Sequence, residues 1–313
     1  MSTAGAMLVA LMVDALVGWP AAIYARIGHP VTWIGALIGL LDRSWNSNSA
    51  PDLVRRVAGA AAALSVIGGS AALAWLVTIL LPDGWVGVIL TGVLAWPLVA
   101  VRSMHDHVVK VVEPLAAGDL AAARLAVSMI VGRDPSQLDP PGVARAALES
   151  LAENTSDGII APLFWGALFG LPGIAGYKAV NTLDSMIGHR TPRHEAFGWA
   201  SARIDDLANL IPARVTGLLF GLVSGQLRPA LTTMFRDAHL HRSPNAGWPE
   251  AAMAGSLGVR LSGPRAYGGS ITNEPWLNAA APDPDHSDIR RGLAIYRRAM
   301  AGIAVILLAL VVM

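Results

Sequence analysis

From Val57 to Leu81 the chain runs without a single charged residue and is rich in Ala, Leu, Val and Gly. At ~1.5 Å per helical residue this stretch is long enough to cross a ~30 Å hydrocarbon core. Lipid offers the backbone no hydrogen-bond partners, so such a segment must be a helix that satisfies its own amides; the long apolar runs do not suit barrel strands. A Pro82-Asp83-Gly84 turn follows, and Trp85 to Val101 continues as a second apolar segment, which predicts a transmembrane hairpin. Only 14% of the residues are charged and 54% are hydrophobic, whereas soluble domains carry about 25% charged residues. The expected fold class is all-α, a polytopic integral membrane protein with four to six membrane segments, re-entrant or short helices and cytoplasmic polar loops.

Charge sets the expected orientation. The loops flanking the hairpin, Asp42 to Arg56 and Arg102 to Asp157, hold Arg43, Arg55, Arg56, Arg102, Lys110, Arg124, Arg133 and Arg145, while the connecting turn has no basic residue. The positive-inside rule puts both loops in the cytoplasm, of a multi-pass protein of the cell inner membrane. The N-terminal apolar run from Ala4 to about Ala25 contains Asp14 and lacks a basic leader, so it reads as a retained segment interrupted by Gly18, Trp19 and Pro20. Ile159 to Gly176 is broken by Pro162, Gly166, Gly170, Pro172 and Gly173 and flanked by basic residues on both sides. Irregular backbone at membrane depth needs cover from protein or a wet cavity, so the reading is a re-entrant or protein-buried segment. Only 13 residues separate Arg214 from Arg228, roughly 20 Å of helix and short of a full crossing unless the arginines snorkel. The segment 228–298 reads as a polar cytoplasmic lobe, and Ala299 to Met313 as an apolar helix that spans if it starts near Gly292. No fixed repeat or low-complexity linker divides the chain, which reads as one membrane domain, 1–313.

Composition also excludes chemistry. With no cysteine there is no disulfide, thiolate metal site or cysteine nucleophile. Net charge is +1, so no global field points to nucleic acid. Lys110 and Lys178 are the only lysines, and no Walker-type phosphate loop or G-x-S-x-G elbow occurs.

Three polar clusters interrupt the apolar background. On a helix Glu149, Glu153 and Asp157 recur at i, i+4 and i+8, so three carboxylates share one face; the same pattern fits a solvated acidic face. Lys178, Asn181, Thr182 and Ser185 share another helical face, with Asp184 on its flank and Gly188 ending the helix before His189 and Arg190; a phosphate with its metal and a polar interfacial helix both fit. Asp205 with Asn209, and Asp206 with Asn209, repeat the theme with oxygen ligands of the kind magnesium takes, or with helix caps paired to Arg203 or Arg214. His105-Asp-His107 and His239-Leu-His241 lack the further ligands a zinc site needs.

These clusters carry a resemblance to a known family. His29-Pro-Val, Gly132-Arg-Asp134, Glu149 through Gly158, Ala161-Pro-Leu-Phe-Trp165, Tyr177 through Gly188, Asp205-Asp-Leu-Ala-Asn-Leu-Ile-Pro-Ala-Arg214 and Ser243-Pro-Asn-Ala-Gly-Trp-Pro-Glu250 resemble the adenosylcobinamide-phosphate synthase family, CbiB or CobD, along nearly the whole chain. Two departures stand out: Gly18-Trp19-Pro20 replaces the common Gly-Asp-Pro and removes a carboxylate, and Ser262-Gly263 replaces a Gly-Gly.

The resemblance implies an ATP-dependent amide ligase of cobalamin biosynthesis. It would join adenosylcobyric acid to (R)-1-amino-2-propanol or its O-phosphate, by way of an acyl phosphate that the amine attacks. Such chemistry needs Mg2+, cationic donors for the phosphoryl group and a base for the ammonium. On that basis Glu153, Asp184, Lys178 and His189 are the expected catalytic residues. Asn154, Asn181, Arg190, Arg214, Asn209 and Asn245 are expected to bind substrate or ATP, and Asp157, Asp205 and Asp206 to bind metal. The implied partners are the corrinoid, the aminopropanol, the bilayer and other late cobalamin-pathway enzymes. The competing class is a corrinoid-binding membrane carrier or a scaffold for those enzymes. Transporters often show repeated halves and midplane sites, whereas here the polar motifs cluster in Arg-bearing loops.

Overall fold

The computed structural model describes residues 2–132, 134–267 and 270–313, without the side chains of 265–267 and 270–272; Arg133, counted above among the loop cations and in the Gly132-Arg-Asp134 motif, lies outside it. The chain is helical almost throughout: α1 (Thr3–Val17), α2 (Ala21–Ile27), α3 (Pro30–Trp45), α4 (Asp52–Leu80), α5 (Gly84–Ala95), α6 (Val101–Ala116), α7 (Leu120–Ser128), α8 (Pro140–Thr155), α9 (Ala161–Ile187), α10 (Trp199–Ala208), α11 (Leu210–Ser224), α12 (Leu227–Asp237), α13 (Gly247–Leu257) and α14 (His286–Val312). Four short strands, β1 (Leu261–Ser262), β2 (Arg265–Tyr267), β3 (Ser270–Thr272) and β4 (Trp276–Leu277), pair antiparallel as β1 with β4 and β2 with β3.

Among the described residues four helical runs are long and apolar enough to cross a membrane: Asp52–Leu80, Gly84–Ala116, Pro140–Ile187 and His286–Val312. The number rises to six if the bent pairs Thr3–Val17 with Ala21–Trp45 and Trp199–Ala208 with Leu210–Ser224 each make one span. The protein is therefore an all-α, multi-pass membrane protein. Its outward apolar side chains agree: on α4, Leu73 is 65% exposed and Leu80 82%, a costly display in water but one suited to lipid.

Helix ends follow local chemistry. The His29 imidazole accepts the Val31 amide while the Thr32 hydroxyl accepts the His29 amide, and Pro30 opens α3, so two orphan donors are satisfied reciprocally. Asp139 accepts the Gly142 amide at 2.8 Å ahead of α8, with Pro140 at its start. The expected interruption at residues 18–20 is present: α1 ends at Val17, Gly18 takes φ 64°, and the α1 and α2–α3 axes differ by 109°.

The chain folds as two compact units. One comprises 1–100, 161–209 and 306–313; the other comprises 101–160 and 210–305, and contains the whole polar segment 228–298. In the first, Ile38 of α3, Ala62, Ala63 and Val66 of α4, Ala179, Leu183 and Ile187 of α9, and Phe197 form the core. Small residues let α4 come close: a Cβ built on Gly59 would lie 1.8 Å from the Phe197 carbonyl oxygen. Within α9, Gly170 sits at φ 66°, a conformation glycine adopts without steric cost, and Pro172 follows. The Thr3 hydroxyl donates to the Ala167 carbonyl just before this break, at 2.5 Å. Gly166, Gly170, Leu171 and Ile174 are buried, so the irregular stretch is covered by protein, as its sequence predicted.

In the second unit Leu148, Leu151 and Leu257 close around Gly292 of α14, and the Tyr296 hydroxyl donates to the Val101 carbonyl at 2.7 Å. Asp283 ties the base of the strand region together. It accepts from the guanidinium groups of Arg260, at 2.9 and 2.5 Å, and of Arg145, and both arginines lie against the Trp276 ring.

Candidate functional site

In the first unit, α9 is helical through Ile187 and ends where the Gly188 amide reaches the Asp184 carbonyl at 2.8 Å. The expected face is formed by hydroxyls turned back on the helix: Thr182 donates to the Lys178 carbonyl and Ser185 to the Asn181 carbonyl. Lys178 is buried and lies within electrostatic reach of His29; Asn181 is half-buried. One turn further on, Asp184 feels both His189 and Asp206, and Asp206 in turn feels Arg190. The end of α9, the loop after it and α10 thus gather two carboxylates, an imidazole and a guanidinium.

The loop 188–198 is held from behind. Arg55, buried, donates through Nε to Asn46 at 2.9 Å and through Nη2 to the Arg193 carbonyl; Asn46 donates to the same carbonyl at 2.9 Å and to Asp42 at 2.8 Å. Arg193 closes the ring with bonds to Asp42 at 2.9 and 3.0 Å. A buried charge with its donors used in this way fixes a backbone rather than a ligand, so the clamp presets where His189, Arg190 and Glu195 emerge.

A second chain of bonds fixes α10. The Tyr177 hydroxyl donates to Asn209 at 2.8 Å, and Asn209 donates to Asp205 at 3.0 Å. Asn209 is fully buried and Asp205 nearly so, so both of these expected ligands are engaged in joining α9 to α10, and Asp206 is the more open carboxylate of the pair. Arg203 donates to Asp206 at 3.3 Å. Arg56, Arg190, Arg203, Glu195, Trp199 and Asp206 line a cleft of about 200 Å³ on this unit.

The remaining expected residues belong to the second unit. Glu149, Glu153 and Asp157 do not present one common face: Glu149 is buried and accepts the Ser262 amide at 2.7 Å, Glu153 is exposed, and Asp157 is half-buried. The reason is a π-helical turn over Ser156–Ile160, which shifts the helical phase just before Asp157. Asn154 donates back to the Ser150 carbonyl at 2.9 Å. Arg214 donates to Asn245 at 3.0 Å and stacks 4.3 Å above the Trp248 ring. The Ser243 hydroxyl accepts the amides of Asn245 and Ala246, and His241 lies 3.7 Å from Glu250, so the Ser243–Glu250 loop is a rigid shelf beneath Arg214.

Among the described residues no three histidine or acidic side chains come together as a metal cage. His105 and His107 lie on α6, two residues apart and so on different faces. Trp19, standing where a carboxylate is common, donates to the Gly28 carbonyl at 3.2 Å and packs on His29 and Trp96. Arg56, Glu195, Trp199 and Arg203 escaped the expected site list; Arg56 lies more than 130 residues from the others, and its only sequence signal was as a loop cation.

The protein-family model described as CobD/Cbib protein matches residues 7–296. A cobalamin biosynthesis protein CobD of Rhodobacter capsulatus is 66% identical over 307 residues, covering 98% of this chain and 97% of that protein. Proteins of the same name from a Sinorhizobium species and Brucella suis are 47% and 44% identical, over 96% and 93% of this chain and 96% and 92% of their own. No solved structure matches. With motifs, helical membrane architecture and near full-length relatives in agreement, the chain belongs to the CobD/CbiB family of cobalamin biosynthesis.

Proposed function

We propose that this protein is the amide ligase that joins a propionate carboxylate of adenosylcobyric acid to (R)-1-amino-2-propanol or its O-phosphate. The observation that carries the reading is the gathering of Asp184, His189, Arg190 and Asp206 at the end of α9. Family membership supplies the pathway.

The residues present suit Mg2+ and ATP. Mg2+ usually takes one or two carboxylates plus substrate phosphates and keeps several waters, and Asp184 and Asp206 are neighbouring carboxylates of that kind. Bound there, Mg–ATP would supply the phosphoryl group that turns the unreactive carboxylate into an ester with a good leaving group. Arg190, and Lys178 from the interior, would offset negative charge on phosphate and carboxylate oxygens. His189 is exposed beside Asp184, where an imidazole can accept the proton that the ammonium must lose before its nitrogen can attack. The clamp around Arg55 keeps these groups preorganised.

The test is turnover by purified protein with adenosylcobyric acid, Mg–ATP and either amine, read by mass spectrometry for the amide and the nucleotide by-product. Asp184→Asn and Lys178→Ala should each lower the rate roughly 100-fold or more, the scale of lost acid–base or electrostatic assistance. Full activity in both variants would refute this site. Corrinoid binding without turnover of either amine would move the protein to the carrier or scaffold class.

A further inference from the structure

The cleft beside Asp206 has a composition that the activation chemistry leaves unexplained. Three guanidinium groups, Arg56, Arg190 and Arg203, meet two carboxylates, Glu195 and Asp206, around a volume of about 200 Å³. Arg203 and Asp206 pair with each other at 3.3 Å. Arg56 has its guanidinium 5.9 Å from the Trp199 ring centroid and no carboxylate partner among the described residues. Glu195 likewise shows no ion pair among them. The cleft therefore presents cationic donors and an acidic acceptor within one small volume, smaller than the ~300–1,000 Å³ of a drug-sized site. A simple anion would leave Glu195 unmatched, and a simple cation would leave Arg56 unmatched.

We propose that this cleft binds a small zwitterion: a phosphate monoester or diester carrying an ammonium group a few bonds away. Arg56 and Arg190 take the phosphate oxygens with charge-assisted bonds, and Glu195 takes the ammonium. Trp199, 48% exposed at the rim, covers the short carbon linker and holds the Arg56 guanidinium by a cation–π contact. Two sources share this chemistry: a soluble amino-alcohol phosphate, and the headgroup of phosphatidylethanolamine in the surrounding membrane. The soluble source rests on the ligase reading; the lipid source does not.

Binding separates the two. Protein in phosphatidylcholine nanodiscs is titrated calorimetrically with O-phosphoethanolamine, with inorganic phosphate and ethanolamine as partial ligands. O-phosphoethanolamine should bind at least tenfold tighter than either fragment. Arg56→Gln and Glu195→Gln should each weaken it roughly tenfold, the equivalent of one charge-assisted bond; both side chains are exposed, and unchanged thermal unfolding confirms that the variants fold. Loss of this binding when phosphatidylethanolamine replaces part of the phosphatidylcholine assigns the lipid source; undiminished binding assigns the soluble one. Inorganic phosphate binding as tightly as O-phosphoethanolamine, or affinity indifferent to Arg56 and Glu195, overturns the zwitterion site. Binding that behaves as expected in a protein that never makes the amide would uphold the cleft and refute the ligase reading. Turnover indifferent to both substitutions, with the expected binding absent, would do the reverse.

Discussion

At the scale of single residues, the charged groups divide into those locked by neighbours and those turned outward. Asp283 belongs to the first kind: the Arg260 hydrogen bonds, reinforced by Arg145 and only partly opposed by burial, hold its carboxyl below the ordinary aspartate range. For Asp237 burial pulls upward, but Arg236 and the Asn278 amide outweigh it and the carboxyl again ends low. A carboxyl with a depressed folded-state value stabilises above its unfolded value, near 3.9, and that contribution disappears as pH falls through the folded-state value. Wild-type protein should therefore lose thermal stability as pH drops from about 5 toward 3, and Asp283→Asn should start lower and show a shallower fall. Melting curves in detergent across that range check it; parallel pH profiles would mean that Asp283 carries no such linkage. Lys178, Asp184, His189, Arg190 and Asp206 were readable from sequence because they lie on one helix end and its continuation or beside a second polar run. Arg56 and Trp199 were not, because tertiary packing alone brings α4 to the start of α10.

Helices and their breaks were legible where composition alone decides them. The uncharged run of α4, the stop at Gly188 and the interruption at 18–20 follow from lipid solvation, a C-terminal glycine and a proline. The π turn at Ser156–Ile160 left no such mark, since periodicity counted by eye assumes 3.6 residues per turn and the wide turn adds one residue without changing residue type. That single turn is why Glu149, Glu153 and Asp157 ended in three different surroundings. Element packing makes its own prediction at Gly59, where any side chain meets backbone rather than a movable group. Gly59→Ala should cost about 1–3 kcal/mol, the scale of overpacking a tight crossing, and should lower activity by displacing the loop that carries Arg190. A melting temperature equal to wild type would show that α4 can retreat from Phe197 freely.

Across the whole molecule, the sequence reading of a single domain gives way to two compact units, each assembled from stretches far apart in the chain. No composition shift or linker marks their borders, because the borders fall inside helical runs. Orientation is set by the distribution of arginine, and the absence of cysteine makes it directly measurable. Single cysteines placed at exposed Ser49 and Asp83 should behave oppositely in intact cells. A membrane-impermeant maleimide should label Asp83→Cys and leave Ser49→Cys untouched until the membrane is opened; the reverse pattern would invert the expected topology. One small bond bears on how such a molecule is made. The Thr3 hydroxyl fills the Ala167 carbonyl just ahead of the Gly170 break, so the bent form of α9 depends on a helix translated more than 150 residues earlier. Biogenesis thereby acquires a direction: α1 must already be waiting in the membrane when α9 leaves the ribosome, and a rearranged gene that supplied α1 last would insert α9 with a bare carbonyl in lipid.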